Sequence, residues 1–167
     1  MAQVKLAILV LVFLAHTMSI KAGTNFDASW THSCPSGQSI SHISSVHSNR
    51  HEDRSWTWRC RNSPVIQSSC SWSGYVNLMD EIMLYQCSNG VIAGVESYHS
   101  NRHEDRRFKF ECCETDCYNR TQCSWTPFVN DWDDFLSYDV PTNYYLVGAF
   151  SIHSNSKEDR RWRFLVC

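Results

Sequence analysis

The sequence predicts an all-β fold, a single disulfide-stapled domain of three β-hairpin repeats in a pseudo-threefold, β-trefoil-like arrangement. Three observations predict it. One motif recurs three times. The residues after each copy alternate between apolar and polar. Nine cysteines follow a leader of the secretory kind.

The repeat sets the architecture. The copies run from His47 to Cys60, from His99 to Cys112 and from His153 to Cys167. Each opens with His-Ser-Asn and continues, two residues later, with Glu-Asp-Arg. A period of roughly 50 residues marks a repeated supersecondary unit that cannot bury its apolar face alone. The repeats occupy approximately 24–61, 72–113 and 125–167 of a domain spanning 23–167.

The alternation identifies the strands. A β-like run precedes each motif: Ile40 to Val46, Val91 to Tyr98 and Leu146 to Ile152. After the first motif, Trp56, Trp58 and Cys60 face one way while Ser55, Thr57 and Arg59 face the other. Phe108 and Phe110, then Trp162 and Phe164, repeat the pattern. Period-two alternation with aromatic residues belongs to half-buried strands, and these six rings are expected in the core. Each repeat therefore reads as a hairpin connected by a long polar loop, His-Ser-Asn-x-x-Glu-Asp-Arg. A short segment precedes each hairpin: Asn25 to Asp27, Tyr75 to Asn77 and Val129 to Trp132. Closing three hairpins on one another removes exposed edges. A β-prism or a less regular sandwich satisfies the same pattern.

The cysteines and the leader fix the compartment. Lys5, the apolar run Leu6 to Ala15 and the small residues near Ala22 read as a signal peptide over 1–22. Ten apolar residues fall short of the about 20 that span a bilayer. No second run of spanning length follows, so the expectation is a secreted, extracellular protein without a membrane span. Cys34, Cys60, Cys70, Cys87, Cys112, Cys113, Cys117, Cys123 and Cys167 then imply a disulfide framework. No matched Cys-x2-Cys knuckles suggest zinc instead. An odd count leaves at least one thiol free or bonded to another chain. Asn119-Arg120-Thr121 is a glycosylation acceptor sequence.

Charge points to a ligand class. The formal net charge is -2, yet beyond the leader every Lys and Arg except Arg120 falls inside the repeats. If the loops meet at one end, their basic groups gather there. The arginine fork matches sulfate and carboxylate, and several sites on one body add avidity for a repeating polyanion. Arg50, His51, Arg102, His103 and Lys157 are the leading glycan-contact candidates, with Arg54, Arg106 and Arg160 beside them. A structural alternative exists for the Asp-Arg pairs: Asp accepts turn N–H groups, and Arg pairs with a carboxylate or stacks on Trp. A secreted, net-acidic chain argues against a nucleic-acid partner. No nucleophile elbow, phosphate loop or catalytic Cys/His set is present, so neither an enzyme nor a cofactor is expected. His47, His51, Glu52 and Asp53 resemble a metal-ligand set, but Lys157 replaces the second histidine in the third copy, so no metal is expected.

The element Glu-Asp-Arg-x-Trp-x-Phe/Trp-x-Cys, the stretch Tyr85 to Gly94, and Cys112-Cys113 followed by Cys117 and Cys123 resemble the dermatopontin family. The fuller His-Ser-Asn-x-His-Glu-Asp-Arg motif is similar to its invertebrate haemagglutinin and aggregation-factor branch. The resemblance covers the chain beyond the leader. It implies an extracellular matrix and adhesion protein that binds proteoglycan glycosaminoglycans, meets collagen-associated matrix proteins and supports matrix assembly. The alternative it implies is a lectin-like haemagglutinin of innate defence that aggregates cells through surface glycans. It also implies the pairs Cys34–Cys60, Cys87–Cys113 and Cys70–Cys112, with Cys167 reaching Cys123 because Pro141 stands where the other repeats have their first cysteine. Cys117 is then the odd thiol, a candidate for a disulfide-linked dimer.

Overall fold

Three hairpins make the frame, and their strands carry the alternating aromatic pattern. The computed structural model describes residues 23–63, 66–115 and 122–167. The leader expected over 1–22, Cys117 and the Asn119 acceptor sequence lie outside the described residues. Among the described residues there are eleven strands and no α-helix. In order they are β1 (Trp30–Ser33), β2 (Gln38–Ser48), β3 (Asp53–Asn62), β4 (Ile66–Trp72), β5 (Met83–Gln86), β6 (Val91–Ser100), β7 (Asp105–Thr115), β8 (Ser124–Trp125), β9 (Leu136–Asp139), β10 (Leu146–Ser154) and β11 (Asp159–Val166). No helix of the described residues is long and apolar enough to cross a membrane.

The hairpins are β2–β3, β6–β7 and β10–β11. Each takes a short strand from the repeat before it. β1 pairs with β6 and β5 with β10, while β9, which precedes the third hairpin, returns to pair with β2 of the first. The exchange is cyclic, so the first strand of every hairpin has its outer edge covered. β4 and β8 cover the second strands β7 and β11. Each hairpin also carries a register shift at one equivalent place, between Ile40 and His42, Ile92 and Gly94, and Leu146 and Gly148. Such bulges bend and twist a strand. The all-β, three-hairpin, disulfide-stapled reading stands, and the cyclic exchange is compatible with a trefoil-like arrangement.

The loops are shorter than the motif suggests. His47 pairs with Arg54 and Ser48 with Asp53, so both ends of the polar motif are strand. The turn itself closes through His51 N–H donating to Ser48 O at 3.0 Å. Glu52 follows in the left-handed region at φ 46°, as do Glu104 at 42° and Glu158 at 44°. The motif is polar because its strand ends face one another across an axis, not because it is all loop.

The core gathers on that axis. Trp56, Phe108 and Trp162 meet edge to face in a pinwheel: Trp56–Phe108 at 6.3 Å and 78°, Trp56–Trp162 at 5.2 Å and 80°, Phe108–Trp162 at 5.0 Å and 86°. Edge-to-face contact suits the aromatic quadrupole. The next position along each strand adds a stacked ring from the short strands: Tyr85 on Phe110 at 5.2 Å, Tyr138 on Phe164 at 5.3 Å, and His32 on Trp58 at 4.9 Å.

Among the described residues four disulfides staple the frame: Cys34–Cys60, Cys87–Cys112, Cys70–Cys113 and Cys123–Cys167. Two pairs match the family-implied pattern and two exchange partners. Strand alternation explains the exchange. Cys112 shares the inward face with Phe108 and Phe110 and packs against the core, where Cys87 is buried. Cys113 points the other way, directly across the ladder from Cys70. Cys34–Cys60 and Cys87–Cys112 are thus one staple repeated, and Cys70–Cys113 and Cys123–Cys167 another. In a Cys70→Ser/Cys113→Ser variant, peptide mapping without reduction is expected to find Cys87 still joined to Cys112. Recovery of Cys87 as a free thiol would contradict the pairing.

Candidate functional site

The hairpin tips and the strand ends beneath them surround one end of the axis. Three Arg–Asp pairs close a ring there. Arg106 Nε and Nη2 each donate to Asp53 at 2.6 Å. Arg160 donates to Asp105 at 2.6 and 2.7 Å. Arg54 donates to Asp159 at 2.6 and 2.8 Å. Each hairpin thus grips its neighbour, and the third returns to the first. The six side chains are at most 4% exposed. Bidentate, charge-assisted pairs in a dry setting are the strong kind. Burial pushes the Asp159 carboxyl up, but hydrogen bonds from His47 and Arg54 and the Arg54 charge outweigh it and hold the group down at about 2.

A second layer supports each framework aspartate. Asp27, Asp80 and Asp133 sit in the left-handed region at φ 60°, 64° and 62°. Their backbone N–H groups donate to Asp53, Asp105 and Asp159 Oδ2 at 2.9 Å each. The buried side chains of His47, His99 and His153 lie against Asp159, Asp27 and Asp80 respectively. Glu52, Glu104 and Glu158 line the axial pocket above the ring, a space of about 20 Å³ that suits one water. Burial raises the Glu104 and Glu158 carboxyls; their histidines lower them, and repulsion from Glu52 raises them further.

The candidate ligand residues separate into two groups. Arg54, Arg106 and Arg160 are not on the surface. Their forks turn into the protein, where Nε and Nη2 are taken by aspartate, so these three belong to the frame and offer no fork to a glycan. Arg50 and Arg102 are exposed at the tips, with no ion pair or hydrogen bond among the described residues. The other three tip residues have acidic partners. His51 Nδ1 lies 3.1 Å from Asp27, His103 Nδ1 lies 3.0 Å from Asp80, and Lys157 Nζ donates to Asp133 at 2.8 Å. His51 also stacks on Phe26 at 4.8 Å. The axial end is therefore acidic at its centre with a thin basic rim, not the basic cluster expected.

Basic groups instead concentrate on the flanks, beside aromatic rings that sequence reasoning did not single out. Arg107 and Lys109 point outward from β7 and lie over Tyr75, 4.8 and 4.5 Å from its centre, with Lys109 also paired to Glu96 at 2.6 Å. Arg161 and Arg163 point outward from β11 and lie over Phe128 at 4.3 and 5.9 Å, with Arg161 also paired to Asp131 at 2.9 Å. The alternation that buried Phe108 and Trp162 placed these cations outside, and Tyr75 and Phe128 occupy equivalent positions in their repeats. A cleft of about 440 Å³ adjoins Tyr75, lined by Trp30, Thr31, Glu96 and Tyr98.

Comparison with known proteins gives the same outline. The dermatopontin family model matches residues 24–167. The hemagglutinin/amebocyte aggregation factor of Limulus polyphemus is 42% identical over 164 residues, 96% of this chain and 95% of that protein. Dermatopontin of Biomphalaria glabrata is 40% identical over 80% of this chain and 90% of its own length. Millepora cytotoxin-1 of Millepora dichotoma is 36% identical over 85% of this chain and 64% of its own length. No solved structure matches the chain. A family model matching residues 24–167, with a relative 42% identical over nearly the full length of both chains, settles the placement: the chain belongs to the dermatopontin family.

Proposed function

We propose that this protein is a secreted extracellular adhesion factor that cross-links cell or matrix surfaces by binding acidic glycans. The observation that carries the reading is the pair of flank platforms, Tyr75 under Arg107 and Lys109 and Phe128 under Arg161 and Arg163. An aromatic face accepts the apolar side of a sugar ring, and an adjacent guanidinium binds sulfate or carboxylate. Two platforms on one rigid body make a bivalent binder, which is the minimum for agglutination. Exposed Arg50 and Arg102 extend the basic surface toward the tips, where His51, His103 and Lys157 are further contacts. Four disulfides suit an oxidising, extracellular setting. The name of the Limulus relative, a hemagglutinin and amebocyte aggregation factor, agrees with an aggregating role.

A neutral-sugar lectin is the second reading, favoured by the cleft beside Tyr75 with its aromatic walls and the Glu96 carboxylate. Retention on immobilised heparin across a salt gradient separates the two. Wild type is expected to bind and to elute earlier as salt rises. Arg107→Ser/Arg161→Ser should elute at clearly lower salt than Arg50→Ser/Arg102→Ser. Erythrocyte agglutination should fall in parallel. Failure to bind heparin at low salt, with agglutination blocked by a free neutral sugar, would replace the first reading with the second.

A further inference from the structure

We propose that the interfaces between repeats are divalent-cation sites of the zinc class, three per chain, each built from two aspartates of one repeat and a histidine of the next. The clusters are Asp27, Asp53 and His99; Asp80, Asp105 and His153; and Asp133, Asp159 and His47. In each, one ligand atom per residue lies within 4.8 Å of the other two.

The hydrogen-bond accounting shows why these atoms need an occupant. Each framework aspartate accepts two bonds from an arginine and one from a backbone N–H. A carboxylate has about four lone-pair sites, so one remains, on Oδ1. That Oδ1 is the atom beside the histidine: Asp159 Oδ1 is 3.3 Å from His47 Nδ1, and Asp105 Oδ1 is 4.0 Å from His153 Nε2. The second aspartate repeats the situation. Oδ2 of Asp80 and Asp133 is paired with His103 and Lys157. Oδ1 of each is buried without a hydrogen-bond partner. These orphaned oxygens lie 3.7 Å from His153 Nδ1 and 3.9 Å from His47 Nε2. The histidines complete the set. Their side chains are 1% exposed; His99 Nε2 and His153 Nε2 have no hydrogen-bond partner, and His47 Nδ1 has only its 3.3 Å approach to Asp159 Oδ1.

Apart from the 3.3 Å His47–Asp159 approach, separations of 3.7–4.0 Å are too long for direct hydrogen bonds. One ligand atom from each residue of a cluster lies within 4.8 Å of the others, near the span of groups that would each stand roughly 2.0–2.2 Å from a shared ion. Charge points the same way. At the first interface Arg106 pairs with Asp53 while His99 lies beside Asp27 and Glu104, and at the second Arg160 pairs with Asp105 while His153 lies beside Asp80 and Glu158. One arginine thus stands among three carboxylates at each, and a cation there would offset the excess negative charge. Two carboxylates with an imidazole suit zinc or another borderline first-row ion better than calcium, which prefers oxygen alone. A cleft of about 220 Å³ bordered by His47, Glu52, Asp133 and Lys157 gives access at the third interface. There Lys157 holds the outer oxygen of Asp133, so this site should bind most weakly.

The expectation from sequence that the motif binds no metal weighed His51 as a ligand and found Lys157 in its place. The structure assigns His51, His103 and Lys157 to the outer oxygens, leaving their variation outside the cluster. The test is calorimetric titration of zinc into the chelator-stripped, disulfide-intact secreted protein, beside Asp27→Asn/Asp80→Asn. Asparagine adopts the left-handed backbone readily, so the variant keeps its fold, checked by an unchanged near-UV spectrum. Wild type is expected to take up two ions tightly and a third more weakly, and the variant to lose the two tight ones. No zinc uptake by wild type, or unchanged uptake by the variant, would overturn the proposal. Calcium bound in preference to zinc would overturn the role given to the imidazoles.

Discussion

Arg106→Ala is expected to lower the unfolding free energy by about 3–5 kcal/mol, the usual loss when one partner of a buried ion pair is removed. Asp53 would stay in place, buried, with its two charge-assisted bonds gone and only the Asp27 N–H left to it. Ala28 O would lose its donor as well. Because Arg106 and Asp53 belong to different hairpins, the change weakens an interface and not a single turn. Urea unfolding with the disulfides intact is the measurement. Arg54→Ala and Arg160→Ala should lose similar amounts, since they occupy the same place in the ring. Arg106→Met/Asp53→Leu should recover much of the loss, because an apolar pair of similar volume removes both charges together. Arg59 and Asp139 form an ion pair too, at 3.0 Å, but their side chains are 66% and 71% exposed. Arg59→Ala should be barely measurable. If the Arg59 and Arg106 changes proved equal, the ring would not be the frame described.

Trp162→Ala should be comparably severe, at about 3–5 kcal/mol for a large buried aromatic. Trp162 is 3% exposed and meets both other rings of the pinwheel. Its removal would open a void where the rings of all three hairpins meet. The surroundings cannot collapse into it easily, because Trp56 and Phe108 are held by their own strands and by stapled neighbours. Trp72, 37% exposed at the end of β4, supplies the contrast, and Trp72→Ala should change the transition little. Thermal unfolding followed by tryptophan fluorescence would rank the two. An equal effect would mean that the axis is not the centre of the core.

The hairpins and their buried faces were legible because alternation is a local signal. Trp56 and Trp58 declare a half-buried strand wherever they occur. The partner across the axis was not legible. Identity among Arg54, Arg106 and Arg160 says that they do the same thing, but nothing in the motif says that Arg54 reaches Asp159. For the same reason the sequence pointed to a basic end, whereas the arginines turn inward and leave glutamates around the axis. Two misses had readable signals. Cys60, Cys112 and Val166 occupy one motif position, and Cys113 and Cys167 the next, so the repeat register itself separates the inward staple from the cross-strand one. Asp27, Asp80 and Asp133 recur about half a repeat before the framework aspartates, within or just beyond the short segments noted ahead of each hairpin. They were hard to value because a turn aspartate looks alike whether it caps a loop or buttresses an interface.

The cyclic exchange of β1, β5 and β9 has a consequence for how such a protein can change in length over evolution. An open solenoid tolerates gain or loss of units, because each unit touches only its neighbours and the ends are capped. Here every unit both donates a strand and receives one. Deleting a unit would strand a donor, and the two remaining rings could not fill the axis. Inserting a fourth would spread the rings apart and leave a hole down the middle. Copy number is therefore locked at three by the geometry of closure. Diversity among such chains has to come from the outward residues of β7 and β11 and from the tips, the positions that the lock leaves open.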